Sequence, residues 1–232
     1  MVRGRITAYR LVPAPRRDVT PEQALRELSH FADAMSTRRS IRSFSTEPID
    51  MSLVETALQI ANSAPSGANV QPWHFVVVTD PDTKARIRAA AEEEERAFYS
   101  SKASKEWLAA LAPLGTDWRK PFLEDAPVLI GVFEVHRSDT TPRPYYVKES
   151  VGIAVGFLIA ALHLAGLATL THTPSPMRFL NEILARPRHE RPFVLIPVGR
   201  QAPEAEVPHI GKKDLGEVST WVGQRSGTPP SR

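Results

Sequence analysis

Three groups of residues in this sequence carry side chains capable of chemistry. The first is Arg38-Arg39-Ser40-Ile41-Arg42, which sets three guanidiniums and a hydroxyl within five residues. Guanidiniums are planar and bind an oxyanion through two parallel hydrogen bonds, so such a run suits a phosphate in a way that ammonium groups cannot imitate. A solvated basic loop has the same composition. The second is Ala64-Pro65-Ser66-Gly67-Ala68-Asn69-Val70-Gln71-Pro72-Trp73. Pro65 and Pro72 restrict it, Gly67 permits close approach, and the backbone N–H groups of Ser66 to Asn69 are available to a flat ligand. An ordinary helix-to-strand turn uses the same residues. The third group is dispersed. Glu95 and Tyr99 are four apart and share one face of a helix-forming stretch, and Lys120 follows further on. A carboxylate can take the ammonium of a free amino acid while a lysine and a phenol take its carboxyl group. Taken singly, these are surface residues of a wet helix and loop.

Composition removes many other chemistries. The 232 residues include no cysteine, which excludes disulfides, thiolate metal sites, iron–sulfur clusters and a cysteine nucleophile. Any redox work must therefore fall to a bound cofactor. There is no GxGxxG, no GxxxxGK[ST] and no GxSxG. The seven histidines include no pair three or four residues apart, so no metal centre is expected. A net charge of +3 suits a phosphate-bearing small molecule rather than a nucleic acid.

The elements that must position these groups read as follows. Thr20 and Pro21 open a helix running to about Ser36, and Asp50 caps a second over 50–63 with Leu53, Ala57, Leu58 and Ala61 on one face. A buried strand is expected over 73–81, a strong helix over 82–99, a short helix over 116–125 and a second strand over 127–136. Residues 151–170 form an uncharged apolar run containing Gly152 and Gly156 in a GxxxG. It is long enough to cross a membrane, but Lys148 and Glu149 lead straight into it and its end reads as a strand. A helix buried in a core is the expectation, with its small residues a candidate seam between two copies of the chain. A third strand (167–172), a helix (175–185) and a fourth strand (193–199) complete the pattern. Proline-rich stretches at 12–22, 142–144 and 229–230 are too short for linkers. The fold class is α+β, a sandwich around a small sheet.

The first two groups resemble the FMN-dependent nitroreductase superfamily. Together with EEEERAFY, TDWRKPFLEDAPVLI, LAGLATLTHTP and RPRHERPFVLIPVG, they extend the likeness from about residue 36 to 218, and within that superfamily the text is most similar to the iodotyrosine deiodinases. The resemblance implies a small, mainly antiparallel sheet flanked by helices in an intertwined homodimer, with FMN at the subunit interface. It implies an N-terminal arm and first helix (1–35), an FMN-binding domain (36–222) with a substrate lid at about 92–122, and a flexible tail (223–232). FMN would be held by Arg38, Arg39, Ser40, Ile41, Arg42, Pro65, Ser66, Gly67, Thr171, His172 and Thr173. The Thr173 hydroxyl would serve the flavin N5 as the catalytic contact. Other family members carry threonine where His172 stands, leaving His172 to pack or to touch the cofactor through its backbone. The family's phosphate-binding arginine falls on Lys212, with Lys213 adjacent. Glu95, Tyr99 and Lys120 would recognise the halotyrosine zwitterion, and the Ala68 N–H its phenolate. The implied activity is reductive dehalogenation of mono- and diiodotyrosine to tyrosine and halide, with electrons from NAD(P)H directly or through a reductase. A cytoplasmic enzyme without membrane or nucleic-acid partners is expected. A general NAD(P)H-dependent nitroreductase or flavin reductase and a flavin-storage module are the alternatives.

Overall fold

The computed structural model describes residues 10–137 and 144–223, in two units, Met1–Arg38 and Arg39–Arg232. The expected tail beyond 223 and the prolines at 142 and 229–230 lie outside the described residues. In the first unit, helix α1 (Pro21–Ser36) starts as its sequence dictates. The Thr20 hydroxyl accepts from the Gln23 N–H at 3.2 Å while the Gln23 side chain accepts from the Thr20 N–H at 3.0 Å, a reciprocal cap.

The second unit is built on a four-stranded antiparallel sheet in the order β1-β2-β4-β3, with β1 at Trp73–Val78, β2 at Val128–Val135, β3 at Ala168–Thr169 and β4 at Glu190–Gly199. Because side chains alternate along a strand, β2 feeds two cores at once. Val128, Ile130 and Val132 meet Val194, Ile196 and Val198 of β4 on one face, under α2 (Met51–Asn62) and α6 (Val147–Leu164). Leu129 and Phe133 lie on the other face with Leu195, Ile87 of α3 (Pro81–Ala97), Leu123 of α5 (Phe122–Asp125) and Leu180 of α7 (Phe179–Ile183). This is the expected sandwich.

The apolar helix α6 buries Val151, Ala154, Val155, Leu158, Ala161 and Leu162 against the sheet. It is the one helix among the described residues long and apolar enough to cross a membrane. Its opposite face, Gly152, Ile153, Gly156 and Phe157, is exposed.

Several boundaries differ from expectation, each for a local reason. The expected helix over 116–125 shrinks to α5. The Asp117 carboxylate takes the Arg119 N–H at 2.8 Å in a turn that competes with helix, and Pro121 cannot supply a helical N–H. The helix expected over 175–185 is only α7, because Pro174 and Pro176 bias the residues before them away from helix. The strand expected over 167–172 pairs only at Ala168–Thr169 and again at His172. Between them Leu170 faces Pro197, whose nitrogen has no hydrogen to donate. Strand β1 is a half-buried edge rather than a buried strand, and it stops at Val78 because Asp80 caps α3 through the Thr83 N–H at 2.8 Å. Helix α3 ends at Ala97 and passes into one wider turn over Phe98–Lys102. Two short helices not foreseen, α4 (Lys105–Leu111) and α8 (Leu215–Val218), complete the unit.

Candidate active site

A cavity of about 680 Å³ opens between α3, the 115–122 segment and the end of the chain that follows β3. Its lining combines the charged Arg42, Glu95 and Lys120 with the apolar Phe98, Trp107 and Leu111. Three stretches of sequence bring these groups together.

The first is the arginine loop. The Ile41 N–H donates to the Thr169 carbonyl at 3.1 Å, Ser45 N–H to Arg200 O at 2.9 Å, and Ala202 N–H to Ser43 O at 3.0 Å. With Ile41 and Phe44 buried as anchors, residues 40–45 run beside β3 as an irregular extra strip, which places Arg42 at the cavity. Burial works against the Arg42 charge and lowers its pKa. Arg39 does not line the cavity; its guanidinium donates to the Pro208 carbonyl, securing the chain that leads to Lys212. Ser40 and Ile41 act through their backbones, and Arg38 closes the first unit. Lys212 and Lys213 are exposed and line neither this cavity nor the one described below.

The second is α3 with the 116–120 segment. The Lys120 ammonium sits 3.1 Å from the Glu95 carboxylate and also donates to the Asp117 carbonyl. The pair is largely buried, the side chains being 6% and 15% exposed. Tyr99, one turn beyond Glu95, lies with its ring 5.6 Å from the Lys120 nitrogen and its hydroxyl 3.1 Å from that of Thr116. The chain reverses into Thr116 through Gly115 at φ 61°, a left-handed conformation that glycine adopts without a Cβ penalty. Glu95, Tyr99 and Lys120 are thus brought together, as the resemblance implied.

The third is Thr171-His172-Thr173. Strand-like alternation turns the two threonines to one side and His172 to the other, so Thr171 and Thr173 are exposed and His172 is 7% exposed. Both threonines also line a second cavity of about 470 Å³, bounded by Lys148, Val155 and Phe193. The backbone of His172 is fully occupied: its N–H donates to Leu195 O and its carbonyl accepts from Leu195 N–H, both at 2.9 Å. The His172 N–H is thus committed to the sheet, while the residue still lines the first cavity. Its ring meets Phe122 edge to face at 5.4 Å, and its buried Nε2 has no hydrogen-bond partner. Burial, with Lys120 and Arg42 nearby, lowers its pKa to about 3, so the ring is neutral.

The 64–73 loop stands apart from the first cavity. Its turn is closed by Asn69 N–H to Ser66 O at 3.0 Å and Gln71 N–H to the Ser66 hydroxyl at 2.9 Å, so the Asn69 N–H is not available to a ligand as expected. Ala68, Asn69 and Gln71 hold positive φ. Gly67 is favoured by close approach, but of the chain itself: a Cβ there would lie 3.2 Å from the Tyr145 carbonyl and the Tyr146 ring, tight enough that one of them would have to give way slightly. Pro65, Ser66, Gly67 and Ala68 are absent from the lining of both cavities. Sequence reasoning missed Arg88, Thr116 and Phe122 in the first wall. The regular spacing of Lys84, Arg88 and Glu92 was a usable signal, but it matches that of a solvated helix face.

Comparison with known proteins gives a consistent result. A family model described as the nitroreductase family matches residues 35–200. Iodotyrosine deiodinase of Haliscomenobacter hydrossis is 51% identical over 89% of this chain and 95% of its own length. The rat protein iodotyrosine deiodinase 1 is 43% identical over 87% of this chain and 73% of its own. A crystal structure of oxidised iodotyrosine deiodinase bound to FMN and 3-iodo-L-tyrosine superposes with a TM-score of 0.68 at 32% identity, covering 85% of this chain and 99% of that one. With a family model over most of the chain and a 51% identical relative covered over 95% of its length, the chain belongs to the nitroreductase family, in its iodotyrosine deiodinase branch.

Proposed function

We infer that the protein is an FMN-dependent reductive dehalogenase that converts halotyrosines such as mono- and diiodotyrosine to tyrosine and halide. The observation that carries this reading is the Glu95–Lys120 pair, 3.1 Å apart beside Tyr99, in the cavity that Arg42, Thr171 and Thr173 also line. The pair offers each charge of a zwitterion its opposite. Glu95 takes the substrate ammonium, and Lys120 and Tyr99 take its carboxylate, so binding exchanges one internal ion pair for two external ones. The apolar wall of Phe98, Trp107 and Leu111 covers the aromatic ring and excludes water.

The donor set also fits FMN. Two exposed threonines line both cavities, Arg42 lines the first with them, and the neutral His172 between them adds no charge. Thr171, Thr173 and Arg42 would hold the ring system, with Ser40 and Ile41 shaping the loop. When bound and reduced, FMN would supply the two electrons that, together with one proton, replace the carbon–halogen bond by a carbon–hydrogen bond and release halide. Thr173 would donate a hydrogen bond to it, and the cavity wall would keep the phenol in place.

Supporting a homodimer, the exposed Gly152, Ile153, Gly156 and Phe157 form an apolar stripe on α6, and Gly67 abuts the Tyr145–Tyr146 entry to that same helix. A seam along α6 would bring Pro65, Ser66, Gly67 and Ala68 to the interface, where the Ala68 N–H can serve a phenolate. Electrons come from NAD(P)H, directly or through a reductase. The test is anaerobic: dithionite-reduced holoenzyme should release iodide from mono- and diiodotyrosine. Glu95→Gln and Lys120→Ala should each weaken halotyrosine binding roughly 100-fold, since truncating one partner leaves the other charge uncompensated, while FMN stays bound. Nitroaromatic reduction without halide release would overturn the reading.

A further inference from the structure

Helix α3 and the 116–126 segment are joined by a polar seam that runs antiparallel, rung by rung. The Lys84 ammonium donates to the carbonyls of Glu124 and Ala126 at 2.8 and 2.9 Å. Arg88 reaches the Glu124 carboxylate at 3.3 Å and Oε1 of Glu92 at 2.7 Å. That same Glu92 oxygen accepts the backbone N–H of Lys120 at 2.8 Å. Beyond it come the Glu95–Lys120 ion pair and the Tyr99–Thr116 contact. Positions 84, 88, 92 and 95 fall three or four apart on one face of α3, and Tyr99 continues the series from the wider turn beyond it.

Glu92 occupies a distinct place in this series. It grips the main chain of the residue whose side chain Glu95 holds, and its own side chain is only 15% exposed. Burial alone would raise its pKa, but the Arg88 guanidinium and the Lys120 N–H outweigh that and hold the carboxyl below its ordinary value, so it is charged. A charged acceptor to a backbone N–H is among the stronger hydrogen bonds available to a protein.

We propose that Glu92 is a positioning residue for substrate recognition: by fixing the Lys120 backbone to α3, it keeps the lysine in register with Glu95, so that a zwitterion is admitted by a change of side-chain partners alone. The proposal rests on the assignment of Glu95 and Lys120 to the zwitterion. Because only the amino-acid end of the substrate uses this register, loss of Glu92 should spare ligands that lack it.

The experiment measures equilibrium binding to the FMN-loaded protein by flavin fluorescence quenching, with 3-iodotyrosine and with 2-iodophenol, which has no amino-acid group. Glu92→Ala should weaken 3-iodotyrosine at least about 10-fold and change 2-iodophenol less than about 2-fold. Glu92→Gln, which keeps an oxygen for the Lys120 N–H, should stay within about 3-fold of the parent for both ligands. If Glu92→Ala weakens both ligands equally, or weakens neither, the positioning role is wrong. Glu95→Gln in the same assay reports on the zwitterion assignment itself: parental 3-iodotyrosine affinity in that variant would overturn the assignment whatever Glu92 does.

Discussion

The two ends of helix α3 hold the 116–126 segment by different kinds of contact. At the start of the helix, the buried Lys84 binds main-chain carbonyls on either side of Asp125. Near its end, beyond the Glu92 bond to the Lys120 N–H, Glu95 binds the Lys120 ammonium and Tyr99 meets the Thr116 hydroxyl, both side chain to side chain. A carbonyl cannot leave its backbone, whereas a side chain can rotate to another partner. The helix changes in the same direction: it is regular to Ala97 and then widens, with the Ala103 N–H returning to Phe98 O. One seam therefore serves as an anchor at one end and as a recognition surface at the other, and the contrast can be broken from either side.

Acid should break the anchored side hardest. His172 packs on Phe122, the first residue of α5, which Lys84 holds in place. Its ring has a pKa of about 3 in the folded protein against 6.5 in an unfolded chain. Between those values the unfolded chain binds a proton that the folded protein does not, so stability rises with pH through this window and falls on acidification. The slope from this group is about 1.4 kcal/mol per pH unit, reaching roughly 5 kcal/mol at the acid end. Denaturant melts of the holoprotein from pH 7 to pH 3 should show that slope, and His172→Thr should flatten it. Parallel acid limbs in parent and variant would refute the assignment.

Lys84→Met should have the next largest effect. It leaves a buried and a part-buried carbonyl without their donor, a loss of about 2–3 kcal/mol, which for a chain of this length corresponds to a melting point lower by about 5–10 °C. If the anchored end only anchors, the affinity of the folded variant for 3-iodotyrosine stays within about 2-fold of the parent. A matching loss of affinity would dissolve the distinction between the two ends.

The sequence made some of this division legible. Caps announced themselves: Thr20 with Pro21, and Asp50, carry donors and restraints whose meaning does not depend on the tertiary fold. The two apolar strands through the middle of the sheet and the long helix over them were equally plain, because both faces of β2 and β4 are buried and their text is nearly continuous hydrocarbon. The clamp was readable only through the family resemblance, since a glutamate in a run of four on a charged helix looks like solvent exposure. Arg88 and Glu92 were hidden for the same reason, their partners being a carboxylate and a backbone N–H far along the chain. His172 was legible only as packing or backbone contact, because the strand alternation that buries its ring depends on a pairing with Leu195 that no local pattern declares.

The smallest effect is expected at the tip of the seam, where it discriminates most finely. The Tyr99 hydroxyl lies 3.1 Å from that of Thr116. A phenol can accept one hydrogen bond and donate another, so Thr116 donating to Tyr99 leaves the phenolic hydrogen free for a substrate carboxylate and strengthens that donation. On this view the two hydroxyls do not compete with substrate; one orients the other. Thr116→Val should then weaken 3-iodotyrosine only about 3-fold, because a neutral, partly exposed hydrogen bond contributes about 0.5–1 kcal/mol. Thr116→Ser should restore parental affinity. The decisive measurement is a double-mutant cycle with Tyr99→Phe, which removes the phenol and should itself cost about 10-fold. In the Tyr99→Phe background, Thr116→Val should change nothing. If its 3-fold effect persisted there, Thr116 would act on the ligand by another route, and the tip would not be the exchangeable half of the seam.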